Sequence, residues 1–331
     1  MLQQTRQQHV SKKVRSQRPH HSVDVANRQT LPSLPRSSIA HHSPAMSTAT
    51  VLVSCDDRTG LVAALSEFVF SHGGNILDAD QHSEAEHGDS HRFFMRLRFH
   101  TSGFDLNRDE LTAELSQIAT RFQMHWQIYF EDHLPQVAVF CSKTPHCLYD
   151  LLIRQQMGEL PGRIAVVISN HNELREVTEH FGLPFHHIPM TGNKAAVEAE
   201  QSALLKEHRI DLVVLARYMQ VISPTFAARW QGRMINIHHS FLPAFVGAKP
   251  YHQARARGVK LIGATAHYVT EDLDQGPIIE QDVDRVSHRD AVNDLVRRGR
   301  DLERQVLARA VRAHLEHRVL LDGNRTVVFD G

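Results

Sequence analysis

Cysteine is scarce in this chain and follows no pattern. Cys55, Cys141 and Cys147 are the only three in 331 residues. An odd count without framework spacing argues against a disulfide scaffold and fits a reducing compartment. Net charge is lacking too: 37 Lys and Arg balance 37 Asp and Glu. That balance gives no support to a nucleic-acid or acidic-membrane partner. No apolar run is long enough to span a bilayer. A soluble, cytoplasmic protein is the expectation. Cys141, His146 and Cys147 lie close together, but their spacing matches no common zinc pattern and a fourth ligand is not evident, so no metal is expected there. Hydrophobic residues make up 41%, enough for ordinary globular cores. The length makes two folded domains a fair expectation.

Residues 1–47 differ from the rest. They hold Arg6, Lys12, Lys13, Arg15, Arg18, Arg28 and Arg36 against a single acid, Asp24. Such a segment buries too little apolar surface to offset its ordering entropy, and a disordered basic tail is expected. Its composition also suits an organelle transit peptide, although its apolar face is weak. A third reading starts the protein at Met46, immediately before the first strand.

Residues 48–132 read as one unit. Residues 50–55 (TVLVSC) are β-branched and apolar, a buried strand. Leu61, Ala64, Leu65, Phe68 and Val69 recur at helical spacing, and Gly73-Gly74-Asn75 stops that helix. Residues 75–82 and 92–99 read as strands, Leu111, Leu115 and Ile118 mark a second helix, and 124–130 alternate as a last strand. The order βαββαβ is ferredoxin-like. The stretch CDDRTGLVAALSEFVFSHGGNILDADQHSE, followed by RFFMRLRF, resembles an ACT domain. That resemblance implies a regulatory module that pairs through its sheets, hence a homo-oligomer. It makes Asp57, Arg58, Gly60 and Asn75 candidate contacts to an amino-acid effector. Gly60 and Asn75 also read as turn and helix-stop residues alone, and a purely oligomerising role stays open.

Residues 133–331 form the second unit. Strands are expected over 137–141, 163–169, 185–188, 211–216 and 234–238, and helices over 147–156, 172–181 and 195–207. Continuous Val/Ile/Leu runs alternating with helices indicate a doubly wound α/β domain, its mostly parallel sheet covered on both faces. Ligands in such sheets bind beyond the carboxyl ends of the strands. Residues 260–269 and 277–283 add strands. A long amphipathic helix over 289–316 closes the core and leaves a short tail, 318–330.

Chemistry gathers in two segments. In Met234-Ile235-Asn236-Ile237-His238-His239-Ser240, strand alternation puts Ile235 and Ile237 on one face and Asn236 and His238 on the other. An amide N–H can donate to an oxygen that becomes negative, and an imidazole can move a proton. A satisfied strand end is the plainer reading of the same pair. The second segment runs from Leu261 through Thr270-Glu271-Asp272-Leu273-Asp274-Gln275-Gly276-Pro277. Here a strand delivers a polar loop that Gly276-Pro277 ends sharply. Asp274 could orient a water or hold His238 in its charged form.

NIHHSFLPAF together with GATAHYVTEDLDQGPII resembles the formyltetrahydrofolate-binding fold shared by glycinamide ribonucleotide formyltransferases, methionyl-tRNA formyltransferases and formyltetrahydrofolate hydrolases. The resemblance implies a catalytic trio of Asn236, His238 and Asp274, with His267, His239 and Gly276 as supporting residues. It implies a pteridine pocket lined by Arg217, Tyr218, Met219 and Val221. It also implies 10-formyltetrahydrofolate as substrate, with neither metal nor redox cofactor.

The residues favour the hydrolases within that family. The loop after the first strand of the second unit, Cys141-Ser142-Lys143-Thr144-Pro145-His146-Cys147, holds no glycine, and Pro145 removes an N–H donor. It is poorly suited to cradle the phosphate of a nucleotide acceptor. A tRNA-modifying member would show a basic stripe and a further carboxyl-terminal domain. The His238-His239 pair and the ACT-like unit resemble the hydrolases. The alternatives are formyl transfer to an amine and an idle folate-binding sensor.

Overall fold

The computed structural model describes residues 48–85, 91–243 and 250–331. The basic segment 1–47, with its tail, transit-peptide and late-start readings, lies outside them. The described residues build two sheets and a hairpin within one compact unit.

The first sheet follows from alternation. In β1 (Thr48–Asp56), Val51, Val53 and Cys55 face one core while Leu52 faces another. Helix α1 (Leu61–Ser71), strands β2 (Asn75–Ala85) and β3 (His91–His100), helix α2 (Arg108–Phe122) and strand β4 (His125–Phe130) follow. The sheet order is β2-β3-β1-β4, with antiparallel neighbours throughout. This is the ferredoxin-like βαββαβ order expected from the sequence. Helix α2 opens on a capping box in which Asn107 and Glu110 satisfy each other's backbone N–H groups. Both helices lie on one face, through Leu61, Leu65, Leu111 and Leu115.

The second sheet has seven strands. Its elements are β5 (Gln136–Cys141), α3 (His146–Gln156), β6 (Arg163–Ser169), α4 (Arg175–His180), β7 (Phe185–His187), α5 (Lys194–Glu207), β8 (Leu212–Ala216), α6 (Pro224–Arg229), β9 (Met234–His238), α7 (Pro250–Arg257), β10 (Leu261–Tyr268), β11 (Ile278–Arg285) and α8 (Val292–Leu315). The order β11-β10-β9-β8-β5-β6-β7 is parallel from β9 to β7, and β10 and β11 run antiparallel at one side. Strand β5 shows why the sheet is buried on both faces. Val137, Val139 and Cys141 join a core with α3 and α8, while Ala138 and Phe140 join one with α5 and α6. The chain moves outward from β5 to β6 and β7, then returns to β8 on the other side. The order therefore reverses between β5 and β8, where a ligand crevice belongs.

Several local expectations change. The helix expected over 172–181 starts only at Arg175, because Asn172 holds a turn, accepting from the Arg175 backbone at 3.1 Å and its guanidinium at 2.8 Å. Helices α6 and α7 were not anticipated. The expected tail is a hairpin, β12 (Val319–Asp322) and β13 (Arg325–Val328), closed by Gly323 and Asn324. It covers the helix-free face of the first sheet, where Leu320 and Phe329 pack on Leu52 and Phe94. Burying each such side chain is worth roughly 1.5–3 kcal/mol. Arg96 of β3 supports the junction, with Nε 3.1 Å from the His317 carbonyl just beyond α8, a favourable place for a cation. No helix of the described residues is long and apolar enough to cross a membrane.

Candidate active site

Strand β9 ends at the crevice, and its alternation holds: Ile235 and Ile237 enter the core while Asn236 and His238 line a cleft of about 650 Å³. Antiparallel pairing with β10 sets His267 opposite Asn236 and Thr265 opposite His238. Residues opposite each other share a face of the sheet, so His267 joins the pair. Buried Thr265 fastens the turn that follows β9, accepting from the Leu242 N–H at 3.1 Å and donating to the Ser240 carbonyl at 2.9 Å.

Asp274 comes from the loop between β10 and β11. It has a left-handed φ of 56°, a costly backbone for a non-glycine residue that is often kept at functional sites. Gly276 brings the loop close to β10. A Cβ there would lie 1.7 Å from the Tyr268 carbonyl oxygen, and the Tyr268 N–H donates to the Pro277 carbonyl at 2.9 Å. Gly276 thus supports the site through backbone approach.

The four polar groups interlock. Asp274 Oδ1 lies 3.3 Å from His238 Nδ1 and 3.7 Å from His267 Nε2. The hydrogen bond from His238, with His267 beside it, holds the Asp274 carboxyl well below the usual carboxylate range, although partial burial works the other way. It is ionised at neutral pH. His267 Nδ1 lies 2.8 Å from the Tyr268 carbonyl, which can only accept, so Nδ1 carries the proton. In the neutral ring Nε2 then accepts from the Asn236 amide nitrogen at 3.2 Å. His238 Nε2 is buried and has no hydrogen-bond partner among the described residues. His239 stacks on His238 at 5.1 Å. Burial, then the charges of Arg217 and His238, push its pKa down to about 4, so His239 stays neutral.

The cleft has an apolar and a polar arm. Leu215, Met219, Val221, Ile222, Val269 and Leu273 line the first. Ser142 at the end of β5 fixes its loop, accepting from the Met219 N–H at 3.0 Å and donating to Asn170 at 2.7 Å. Met219 and Val221 are exposed at the mouth, as a ring-binding role requires. Tyr218 lines the cleft as well, though largely buried. Its ring packs edge-on against Phe140 and its hydroxyl accepts from Gln201 at 3.0 Å. It is a core residue beneath the loop.

Arg217 lines the cleft and pairs with a second acid. Its Nε lies 3.3 Å from Glu303 Oε2, an ion pair without hydrogen-bond alignment. Glu303 is buried on α8 and takes His146 Nε2 at 2.8 Å and the Tyr251 hydroxyl at 2.8 Å. Burial disfavours its charge, but the His146 hydrogen bond and the Arg217 charge outweigh burial and lower its pKa. Sequence reasoning missed Glu303 and Tyr251 as site residues and read His146 only as a metal candidate. His146, Cys147 and Glu303 each bring one donor atom within 4.8 Å of the others. Burial and the Glu303 charge push the Cys147 thiol well up, so it stays protonated. Cys141, grouped with them in the sequence, is hydrogen-bonded to Ser169 instead.

The Formyl transferase family model matches residues 135–311, which include β9, β10 and the Asp274 loop. A formyltetrahydrofolate deformylase of Synechocystis sp. is 54% identical over 85% of this chain and 98% of its own length. The chain belongs to the formyltetrahydrofolate deformylase family. The deformylase of Bacillus subtilis is 50% identical over 85% of this chain and 93% of its own length. The crystal structure of the deformylase from Pseudomonas syringae pv. tomato covers 87% of this chain and 96% of its own, with a TM-score of 0.83 at 49% identity. These deformylase matches extend beyond the transferase domain and so take in the first sheet.

The candidate effector residues are divided. Asp57, Arg58 and Gly60 line a hollow of about 220 Å³ with Gln81 and Ser83. Asn75 begins β2 opposite His100, near the far end of the strand from Ser83. It therefore does not share that hollow.

Proposed function

We propose that this chain hydrolyses 10-formyltetrahydrofolate to formate and tetrahydrofolate, with Asn236, His238 and Asp274 as the reacting residues. Supporting this reading is a buried imidazole in the cleft with a carboxylate at Nδ1 and an Nε2 that has no partner among the described residues. The pteridine lies in the apolar arm, and the formyl group on N10 faces β9. Neutral His238 takes a proton from water at Nε2 as the water oxygen bonds to the formyl carbon. Ionised Asp274 stabilises the resulting imidazolium, and Asn236 donates to the oxyanion. The C=O bond re-forms, the C–N10 bond breaks, and the His238 proton passes to N10. The atoms balance without a metal or redox step, and 10-formyltetrahydrofolate is consumed as substrate.

The first sheet serves as an ACT-type regulatory and pairing unit in a cytoplasmic homo-oligomer, with the Asp57, Arg58 and Gly60 hollow for an amino-acid effector. The order and antiparallel pairing of its strands support this reading. The decisive experiment incubates purified protein with 10-formyltetrahydrofolate and no amine. Stoichiometric formate and tetrahydrofolate are expected. Turnover only after an amine is supplied would make the chain a formyltransferase.

A further inference from the structure

We propose that the Arg217–Glu303–His146–Tyr251 cluster is the specificity device that reserves the formyl group for water, because its mutually paired side chains line the polar arm of the cleft through which an amine acceptor would approach. The inference rests on the hydrolase reading and adds why other nucleophiles are refused.

The argument begins with position. All four residues line the same cleft as Asn236, His238 and Asp274. The apolar arm suits a flat ring system, leaving the polar arm as the approach for a second reactant. That arm lies where the strand order reverses, beside the loop after β5 and the start of α3. In open α/β sheets this is where an anionic ligand is held. Here the loop lacks glycine, and Pro145 at the α3 N-cap offers no N–H. The neighbouring negative charge comes from the protein itself, as the Glu303 carboxylate.

Two costly features serve the cluster. Arg217 has a φ of 62°, a conformation that disfavours a long side chain, and its guanidinium reaches Glu303. Gly299 leaves the space occupied by the Tyr251 hydroxyl; a Cβ there would lie 1.9 Å from that oxygen. Glu303 already has His146, Tyr251 and Arg217 as partners. An incoming ammonium would have to displace one of them, and loss of a buried charged partner is expensive. Water needs no such binding site and reaches the formyl carbon as a small molecule.

Arg217→Gly is the direct test, because glycine accepts the left-handed backbone without strain. It removes the guanidinium and leaves a carboxylate facing an amine-sized space. Enzyme is supplied with 10-formyltetrahydrofolate and excess glycinamide, and formate and N-formylglycinamide are quantified together. The unaltered protein should give formate alone. The variant should divert formyl groups to glycinamide roughly tenfold or more above the wild-type background. A folded variant that still partitions like wild type overturns the proposal. So does one that neither hydrolyses nor transfers, since Arg217 would then belong to substrate binding. If Arg217→Gly does not fold, Tyr251→Ala opens the cluster from α7 and enters the same assay with the same criteria. Absence of formate from the unaltered protein would instead reject the hydrolase reading itself.

Discussion

Asn236 and His267 face each other across antiparallel strands, the amide nitrogen of one 3.2 Å from Nε2 of the other. Because the Tyr268 carbonyl fixes the His267 proton on Nδ1, the contact turns the asparagine NH₂ toward His267. One N–H remains for the cleft. Asn236→Ala should lower kcat by roughly 10²–10³, and His267→Ala should lower it less because the amide itself survives. Steady-state formate release checks both. A near-normal kcat in Asn236→Ala would remove the amide from the mechanism.

Asp274→Asn keeps the shape of the side chain and removes the charge beside His238. By analogy with carboxylate–imidazole pairs elsewhere, kcat should fall by roughly 10³–10⁴. Circular dichroism and thermal midpoint should stay close to wild type, because the left-handed φ of 56° suits asparagine well. Retained turnover in a folded Asp274→Asn protein contradicts the assignment.

Gly276→Ala tests the loop that delivers Asp274. A methyl 1.7 Å from the Tyr268 carbonyl cannot be accommodated without moving backbone. Overpacking of this kind costs typically 1–3 kcal/mol, and displacement of Asp274 should lower kcat roughly tenfold or more. Denaturant unfolding and turnover measured on the same sample check the pair of effects. A variant with wild-type stability and kcat would show that the loop is not held by this contact.

Acid sensitivity should come in part from the junction beneath the first sheet. His314 Nδ1 lies 2.7 Å from the Tyr268 hydroxyl. Burial, then the charges of His317 and Arg233, push its pKa from 6.5 down to about 4. The unfolded chain therefore binds the proton at higher pH than the folded one. Stability is fully present above about pH 6.5 and falls as pH drops toward 4, by up to about 3 kcal/mol from this group. His317, also lowered to about 4, acts in the same direction. Urea midpoints across that range should slope with pH, and His314→Gln should flatten the slope by up to one proton. An unchanged slope would mean His314 titrates alike in both states.

The sequence made the local parts of the site legible. The alternation of Asn236 and His238 with Ile235 and Ile237 needs only the period of a strand, and β9 has the bounds expected, Met234–His238. Asp274 and His267 came from the family resemblance, because pairing between strands is not written in either strand alone. The Glu303 cluster was missed since its members come from α3, the loop after β8, α7 and α8, far apart in the chain. One signal was available: Glu303 falls on the apolar stripe of α8 between Leu302 and Val306, and a charge there demands a partner. Arg217 and Tyr218 line the cleft as expected, but a contiguous segment does not reveal that one also pairs with Glu303 and the other also packs on Phe140. Helix α6 carried a readable start, Ser223 at the N-cap and Pro224 at the first position. The terminal hairpin had its Gly-Asn turn signal in Gly323 and Asn324.

That hairpin has a consequence for how the chain is made. The hairpin that covers Leu52 and Phe94 is made after the whole second sheet, while β1 is made before it. The first sheet therefore leaves the ribosome with an apolar face uncovered and must wait through the synthesis of the whole second sheet. Contacts of such long sequence separation slow folding, and exposed apolar surface in the interval invites association. A nascent chain stalled before residue 319 should thus be the form most dependent on a chaperone, and emergence of residues 319–329 the event that ends that dependence.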